Sequence, residues 1–398
     1  MTIKVDSSRE PASIPMTGAQ RRPSKVDRLR HAYGFDDVSL APGTRTVEPA
    51  DVDTSVELAG LTLEIPVLAA SMDAVVDVRS AGALAGLGGL AVMNLEGVQM
   101  RYEDPAPVLE RIAMATPDAA QEVLSAAYAP PITEEIVAAR IRELHAAGSP
   151  AVISATPAAA RRWGPFCAET GADVFLVQSQ VSSAQHLASG YEPLELAEFT
   201  RLMGIPVAAG NTTSYEAALA LMDQGIAAIF VGVGPGAACT TREVLGIGVP
   251  QVTAIADVAA ARDEHHQRSG RYVPVIGDGG MRRGGEMAKA IAAGADALMI
   301  GSPLARAQEA PGHGTNWGMA APSPTLPRGT RIEVGTVGSM ERILFGPSRV
   351  TDGSENLVGA LRQSMAALGA RTITEMQQVE MVYAPAVAVE GKSWQQRR

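Results

Sequence analysis

The 398 residues include 33 basic and 43 acidic side chains, a formal net charge of -10, and 46% are hydrophobic, so the chain can bury a full core and belongs among soluble globular proteins. The acidic balance argues against general nucleic-acid or membrane-surface binding, because a surface of that sign is repelled by each phosphate it approaches; nucleotide binding stays open, since it needs only local donors. No apolar stretch reaches the roughly 20 residues needed to span a bilayer, and Met1 to Arg30 lacks a signal-peptide core, so a cytoplasmic location is expected.

Residues 1–32 are polar, contain proline and show no hydrophobic period, which predicts a mobile arm ahead of a fold that starts at Tyr33. Two apolar runs, Ile65–Ala69 and Gly89–Met93, come first. From Ala151 one unit repeats: a short apolar run, a polar turn, an amphipathic helix, and a glycine before the next run. The runs are Ala151–Ser154, Asp173–Ser179, Ile205–Gly210, Ala227–Gly232, Val273–Gly277 and Ala297–Gly301.

The helices expected between them include Glu134–Ala146, Leu194–Met203, Ser214–Asp223, Ile255–Arg268 and Gly285–Ala292, with Gly171, Gly204, Gly225 and Gly294 where C-terminal caps belong. Eight strands alternating with helices predict an α/β fold, a single-domain TIM (β/α)8 barrel. A doubly wound sheet is the weaker reading, because no Gly-x-Gly-x-x-Gly fingerprint follows the first strand. After Gly301 the rhythm breaks. Residues 311–347, rich in Gly, Pro and Thr, precede the last helix, Glu355–Leu368, and read as an active-site flap. The barrel is expected over residues 33–370 and a C-terminal tail over 371–398.

The densest chemical signal is Gly232-Val-Gly-Pro-Gly-Ala-Ala-Cys239-Thr-Thr-Arg242, which directly follows a strand and so lies on the catalytic face of a barrel. Its glycines allow a tight turn that exposes the thiol. A lone cysteine is more often inert core, but a Gly-rich loop is poor core, and Thr240 and Thr241 supply adjacent hydroxyls, so Cys239 reads as a nucleophile. Cys167, in a helical stretch beside Trp163 and Phe166, reads as packing. Two cysteines give neither a disulfide framework nor metal-ligand spacing.

Two glycine turns, Gly277-Asp-Gly279-Gly280 and Gly301-Ser302, close the last two strands, and their amides suit a phosphate. Asp278 between them reads either as an acceptor for ribose hydroxyls or as a plain turn residue. A thiol facing a nucleotide-shaped slot fits covalent attack on an electrophilic carbon of the base, followed by another transfer.

From about Tyr33 to Ala370 these residues resemble the IMP dehydrogenase/GMP reductase superfamily. Besides the Cys loop, the match includes Phe35-Asp-Asp-Val-Ser-Leu-Ala-Pro42, Pro66-Val-Leu-Ala-Ala-Ser-Met72-Asp73, Gly210-Asn211, Gly279-Gly280, and Gly301-Ser302 followed by Glu309-Ala-Pro-Gly312. The resemblance implies a purine-nucleotide oxidoreductase acting at C2 through a Cys239 thioimidate, with Thr241 assisting. It places Asp278 on ribose, Gly280, Gly301 and Ser302 near phosphate, Met72 and Asn211 near the base, and Gly279, Met299, Gly318 and Met319 about the nucleotide. Gln178 and Ser179 fall where the NAD(H) or NADP(H) partner binds. The carbonyls of Gly234, Gly236 and Cys239 are the implied site for a monovalent cation such as potassium.

The spacer between Gly89 and Ala151, about 60 residues, is too short for the paired CBS module that many IMP dehydrogenases insert there. The direction of reaction turns on the flap. IMP dehydrogenases hydrolyse the covalent intermediate with an Arg-Tyr pair, and none lies between Pro311 and Pro347; the chain's Arg101-Tyr102 and Arg271-Tyr272 fall elsewhere. GMP reductases expel ammonia from the same kind of intermediate and reduce it with NADPH, without needing that pair. GMP reduction to IMP is therefore the leading expectation, oxidation of IMP to XMP the alternative, and a non-catalytic purine-nucleotide-binding regulator a third.

The chain departs from both patterns. Gly318-Met319-Ala-Ala-Pro322 lacks the acidic residue of the reductases, Phe230 stands where Lys or Arg is usual, Ala237 replaces a common Ser, and Gln178 replaces an Asp. It fits a divergent group without the CBS module. Thr336 and Arg328 are candidates for flap groups that reach the ligand. A homotetramer or homo-octamer is implied, with arm and tail reaching neighbours.

Overall fold

The computed structural model describes residues 29–318 and 331–385. The chain divides between Ala32 and Tyr33 into two units, and the second holds everything described below. Eight parallel strands, Val67–Ala69 (β1), Leu90–Asn94 (β2), Val152–Ala155 (β3), Val174–Gln178 (β4), Val207–Thr212 (β5), Ala228–Val231 (β6), Val275–Asp278 (β7) and Ala297–Ile300 (β8), close into a barrel in sequence order, β8 pairing with β1. Every one overlaps a run read from the sequence.

The strands are buried on both faces and their residues sort by parity. Leu68, Leu90, Val92, Leu176, Phe230, Ile276 and Met299 fill the barrel interior, while Ala69, Met93, Phe175, Val177, Ile229 and Leu298 join the layer under the helices. Double burial is why these strands read as continuous apolar runs rather than as alternation. Phe230, at a position where a cation was expected, is a filler of the barrel interior.

Helices Glu134–Ala146, Leu196–Leu202, Tyr215–Met222, Gln251–Ser269 and Gly284–Ala292 occupy the expected places. The fourth begins four residues before Ile255, directly after Pro250. There the Gln251 amide donates to Val231 O at 2.8 Å and to Asp278 O at 3.1 Å, pinning the first turn to β6 and β7. The four glycines expected as caps all have positive φ, from 70° at Gly204 to 115° at Gly294.

Four features go beyond the sequence reading. A hairpin, Val56–Leu58 with Leu61–Leu63, joins the interior cluster through Leu58 and Leu63, and its two-residue Ala59-Gly60 turn has both φ positive, as tight hairpins favour. The stretch between β2 and β3 carries two short helices, Ala106–Met114 and Ala120–Ala127. The segment expected as one long loop has regular structure: Thr315–Trp317 pairs antiparallel with Arg331–Glu333, and Met340–Phe345 is helical with Ser339 as its cap.

The expected tail starts as part of the fold. After the last long helix, Leu357–Ala367, residues Ile373–Met376 form a helical turn and Met381–Tyr383 pair antiparallel with Val38–Leu40. Gln377 donates to Ala295 O and Asp296 Oδ1, both at 3.0 Å. Buried Ile373 and Met376 supply the tail's apolar anchors. Among the described residues no helix is long and apolar enough to cross a membrane.

Candidate active site

A cavity of about 950 Å³ opens where the strands end. Every strand contributes: Ser71 and Met72 follow β1, Asn94 ends β2, Ser154 lies on β3, Gln178 ends β4, Asn211 lies on β5, the Cys239 loop follows β6, Asp278 ends β7, and Gly301 and Ser302 follow β8. This volume lies at the top of the range of roughly 300–1,000 Å³ for small-molecule sites.

The Cys239 loop leaves β6 at Gly232, where φ is +145° and a Cβ would meet Asp278 O at 2.3 Å. Close approach of β6 and β7 thus requires glycine. Gly232→Ala is expected to cost roughly 3 kcal/mol of stability, because backbone rather than a flexible side chain must yield; thermal melting of the variant checks this. The Cys239 amide donates to Gly236 O at 3.0 Å, and its Sγ lies 3.1 Å from Thr241 Oγ1. Thr241 is buried at the start of a short helix, Thr241–Leu245, and its hydroxyl orients the half-buried thiol. Cys167 is fully buried, and burial pushes its thiol up to about 12, so it stays protonated and inert.

Asp278 anchors the floor. Its Oδ2 accepts from Asn211 Nδ2 at 2.7 Å and from Gln178 Nε2 at 3.2 Å. The same Gln178 amide reaches Asn211 Oδ1 at 3.0 Å, and its own carbonyl accepts from Ser71 Oγ at 2.8 Å. Asn211 Nδ2 also donates to Gly232 O at 2.9 Å. The bonds that Asn211 and Gln178 donate both fall on one carboxylate oxygen, Oδ2. Deep placement pushes the carboxyl up to about 6 by desolvation, with the Asn211 hydrogen bond pulling the other way.

Gly279 and Gly280 both have φ of +81° and turn the chain past Pro235. The Gly279 amide is already given to Met299 O at 3.0 Å. Across the cavity, Ser302 opens a short helix, and a Cβ on Gly301 would touch Met72 Sδ at 3.2 Å, so glycine keeps that methionine seated. Met299 is buried at the cavity base.

The structure thus brings Met72, Asn211, Cys239, Thr241, Asp278, Gly279, Gly280, Met299, Gly301, Ser302 and Gly318 around one cavity, while Met319 and Arg328 lie outside the described residues. Thr336 does not line it; its Oγ1 packs beside Gly314. Gln178 and Ser179, expected beside the dinucleotide, border the cavity but are engaged, Gln178 in the floor and Ser179 Oγ with Val181 O at 2.9 Å. Of the carbonyl set expected to hold a cation, Gly236 O accepts the Cys239 amide, and Arg242 Nε donates to the neighbouring Val233 O.

Arg282 and Asn316 are among the lining residues that the sequence did not single out. Arg282 stands on the rim two positions beyond the Gly279-Gly280 turn, a spacing that could have marked it as a phosphate counter-charge. Asn316, 1% exposed, donates to Ser302 Oγ at 3.3 Å and leaves its Oδ1 unpartnered. No local pattern signals it.

Residues 32–319 match the family model described as IMP dehydrogenase / GMP reductase domain. The chain is 40% identical over 362 residues to an uncharacterised oxidoreductase of Mycolicibacterium smegmatis, covering 88% of this chain and 96% of that one. It is 28% identical over 475 aligned positions to the inosine-5'-monophosphate dehydrogenase of Methanocaldococcus jannaschii, covering 89% and 92%. The crystal structure of an IMP dehydrogenase/GMP reductase-like protein from Corynebacterium glutamicum superposes with a TM-score of 0.83 at 34% identity, over 89% of this chain and 95% of that one. With the barrel, the Cys239–Thr241 contact and the Asp278 floor in place, these matches make the chain an oxidoreductase of the IMP dehydrogenase/GMP reductase family.

Proposed function

We propose that the enzyme reduces GMP to IMP with release of ammonia. The observation that carries the direction is the flap sequence: between Pro311 and Pro347 there is no Arg-Tyr pair to activate water, so hydrolysis lacks its base, and reduction remains. The Cys239 thiolate adds to C2 of the purine, the exocyclic amine leaves from C2 as ammonia after taking up a proton, and the resulting thioimidate keeps C2 electrophilic. NADPH, when bound beside the nucleotide, supplies the hydride that goes to C2, and the C2–S bond then breaks to return the thiolate.

The chain's own residues prepare that chemistry. Thr241 Oγ1, 3.1 Å from Sγ, steers the thiol toward the cavity. Asp278 Oδ1 takes ribose hydroxyls, while Arg282, Ser302 and Asn316 offer positive charge and donors to the 5'-phosphate at the mouth between β7 and β8. By resemblance the active form is a homotetramer or homo-octamer.

Absorbance at 340 nm tests the direction. GMP with NADPH is expected to give loss of absorbance and stoichiometric ammonia. Gain of absorbance with IMP and NAD would instead establish the dehydrogenase, and silence in both cuvettes a nucleotide-binding regulator.

A further inference from the structure

The two short helices between β2 and β3, Ala106–Met114 and Ala120–Ala127, bury Val108, Leu109, Ile112, Leu124 and Ala127 against Ala74, Val98 and Trp317. Trp317 ends the strand Thr315–Trp317, which pairs with Arg331–Glu333 to form the stem of the flap. That stem is held twice from the same side. Trp317 Nε1 donates to the Tyr128 hydroxyl at 2.9 Å, and Arg331 Nη2 donates to Ala113 O at 2.5 Å.

The Tyr128 hydroxyl in turn donates to Asp73 Oδ2 at 2.6 Å, and the same oxygen accepts the Val98 amide at 2.7 Å. Asp73, Tyr128 and Trp317 are 1%, 7% and 0% exposed. Each end of this buried chain abuts the cavity: Met72 precedes Asp73, and Asn316 and Gly318 flank Trp317. A buried indole N–H and a buried carboxylate both need partners, and one hydroxyl serves both, donating to the charged group and accepting from the neutral one.

We propose that Trp317, Tyr128 and Asp73 are positioning residues, which hold the Met72 wall and the Asn316–Gly318 wall of the cavity in one register. The excursion between β2 and β3 then sets the geometry in which the nucleotide meets its hydride donor. Only the kinetic part of this inference rests on the proposed reduction.

Tyr128→Phe and Trp317→Phe keep ring volume and delete one hydrogen-bonding group each. Each is expected to lower kcat with GMP and NADPH by about tenfold, with KM for GMP within about threefold, because a sub-ångström misplacement weakens the reacting geometry more than binding. The double variant is expected to be no worse than the larger single loss, as for groups acting through one link. Unchanged kcat in Tyr128→Phe, losses that multiply, or a rise in KM alone overturns the proposal.

A second measurement needs no turnover. In a chain carrying Trp163→Phe and Trp394→Phe, Trp317 is the remaining indole. GMP or IMP binding is expected to change its emission, and to change it less when Tyr128→Phe is added. Emission indifferent to nucleotide, or to Tyr128→Phe, overturns the proposal, whereas a normal emission response in a protein inactive with both substrate pairs would sink the proposed function alone.

Discussion

Cys239→Ser is expected to lower turnover at least about 10³-fold while leaving nucleotide affinity within about threefold. A serine hydroxyl fits the same space, so the loop held by the Cys239 N to Gly236 O bond should persist. What is lost is the nucleophile. A thiolate attacks carbon readily, whereas a hydroxyl needs a base, and the hydrogen-bond partner of Sγ is another hydroxyl, Thr241 Oγ1. Steady-state rates beside calorimetric titration of GMP separate the two quantities. Retained turnover would refute covalent catalysis; lost binding would mean that the loop had moved. Mass spectrometry of quenched wild-type enzyme should show the purine nucleotide attached at Cys239 and not at Cys167, whose burial holds it protonated.

The barrel was legible because its strands are buried on both faces and punctuated by glycine caps, and both properties are local. The Cys239 loop was legible for a related reason: three glycines after an apolar run are hard to reconcile with packing. Asp278 left two readings, since a turn residue and a ribose acceptor look alike until its neighbours are known. The structure separates its oxygens, with Oδ2 committed to Asn211 and Gln178.

What stayed hidden depends on partners distant in sequence. Gln377 is a polar residue in a polar stretch until the Ala295 carbonyl, 82 positions away, is placed beside it. Trp317 meets Tyr128 across 189 positions, and Asn316 gains meaning only where the strand carrying it passes Ser302. Gln178, which the family pattern places beside the dinucleotide, is a similar case: its bonds to Asn211 and Asp278, 33 and 100 positions away, have no local sign.

Asp278→Asn is expected to weaken GMP and IMP binding by roughly 10- to 100-fold, the value of about 1.5–3 kcal/mol for a hydrogen bond to a charged group. The amide oxygen can still accept from Asn211 and Gln178, so the floor survives and the loss reports the ribose contact. Protonation should mimic the substitution. The ribose hydroxyls donate to the ionised carboxylate, so affinity is full above about pH 6 and falls as pH drops through that value. Because the 5'-phosphate titrates near the same pH, the comparison is between wild type and Asp278→Asn, and only the difference between their profiles counts. The free protein responds with the opposite sign. Its folded-state carboxyl is raised from 3.8 to about 6, so the folded chain binds the extra proton and stability falls as pH rises from 3.8 to about 6, then stays level. At pH 7.5 the variant is therefore expected to melt higher than wild type while binding nucleotide more weakly. Such a trade is the mark of a charge kept for its ligand at a cost to the fold. A variant that melted lower and bound equally well would return Asp278 to an ordinary turn residue.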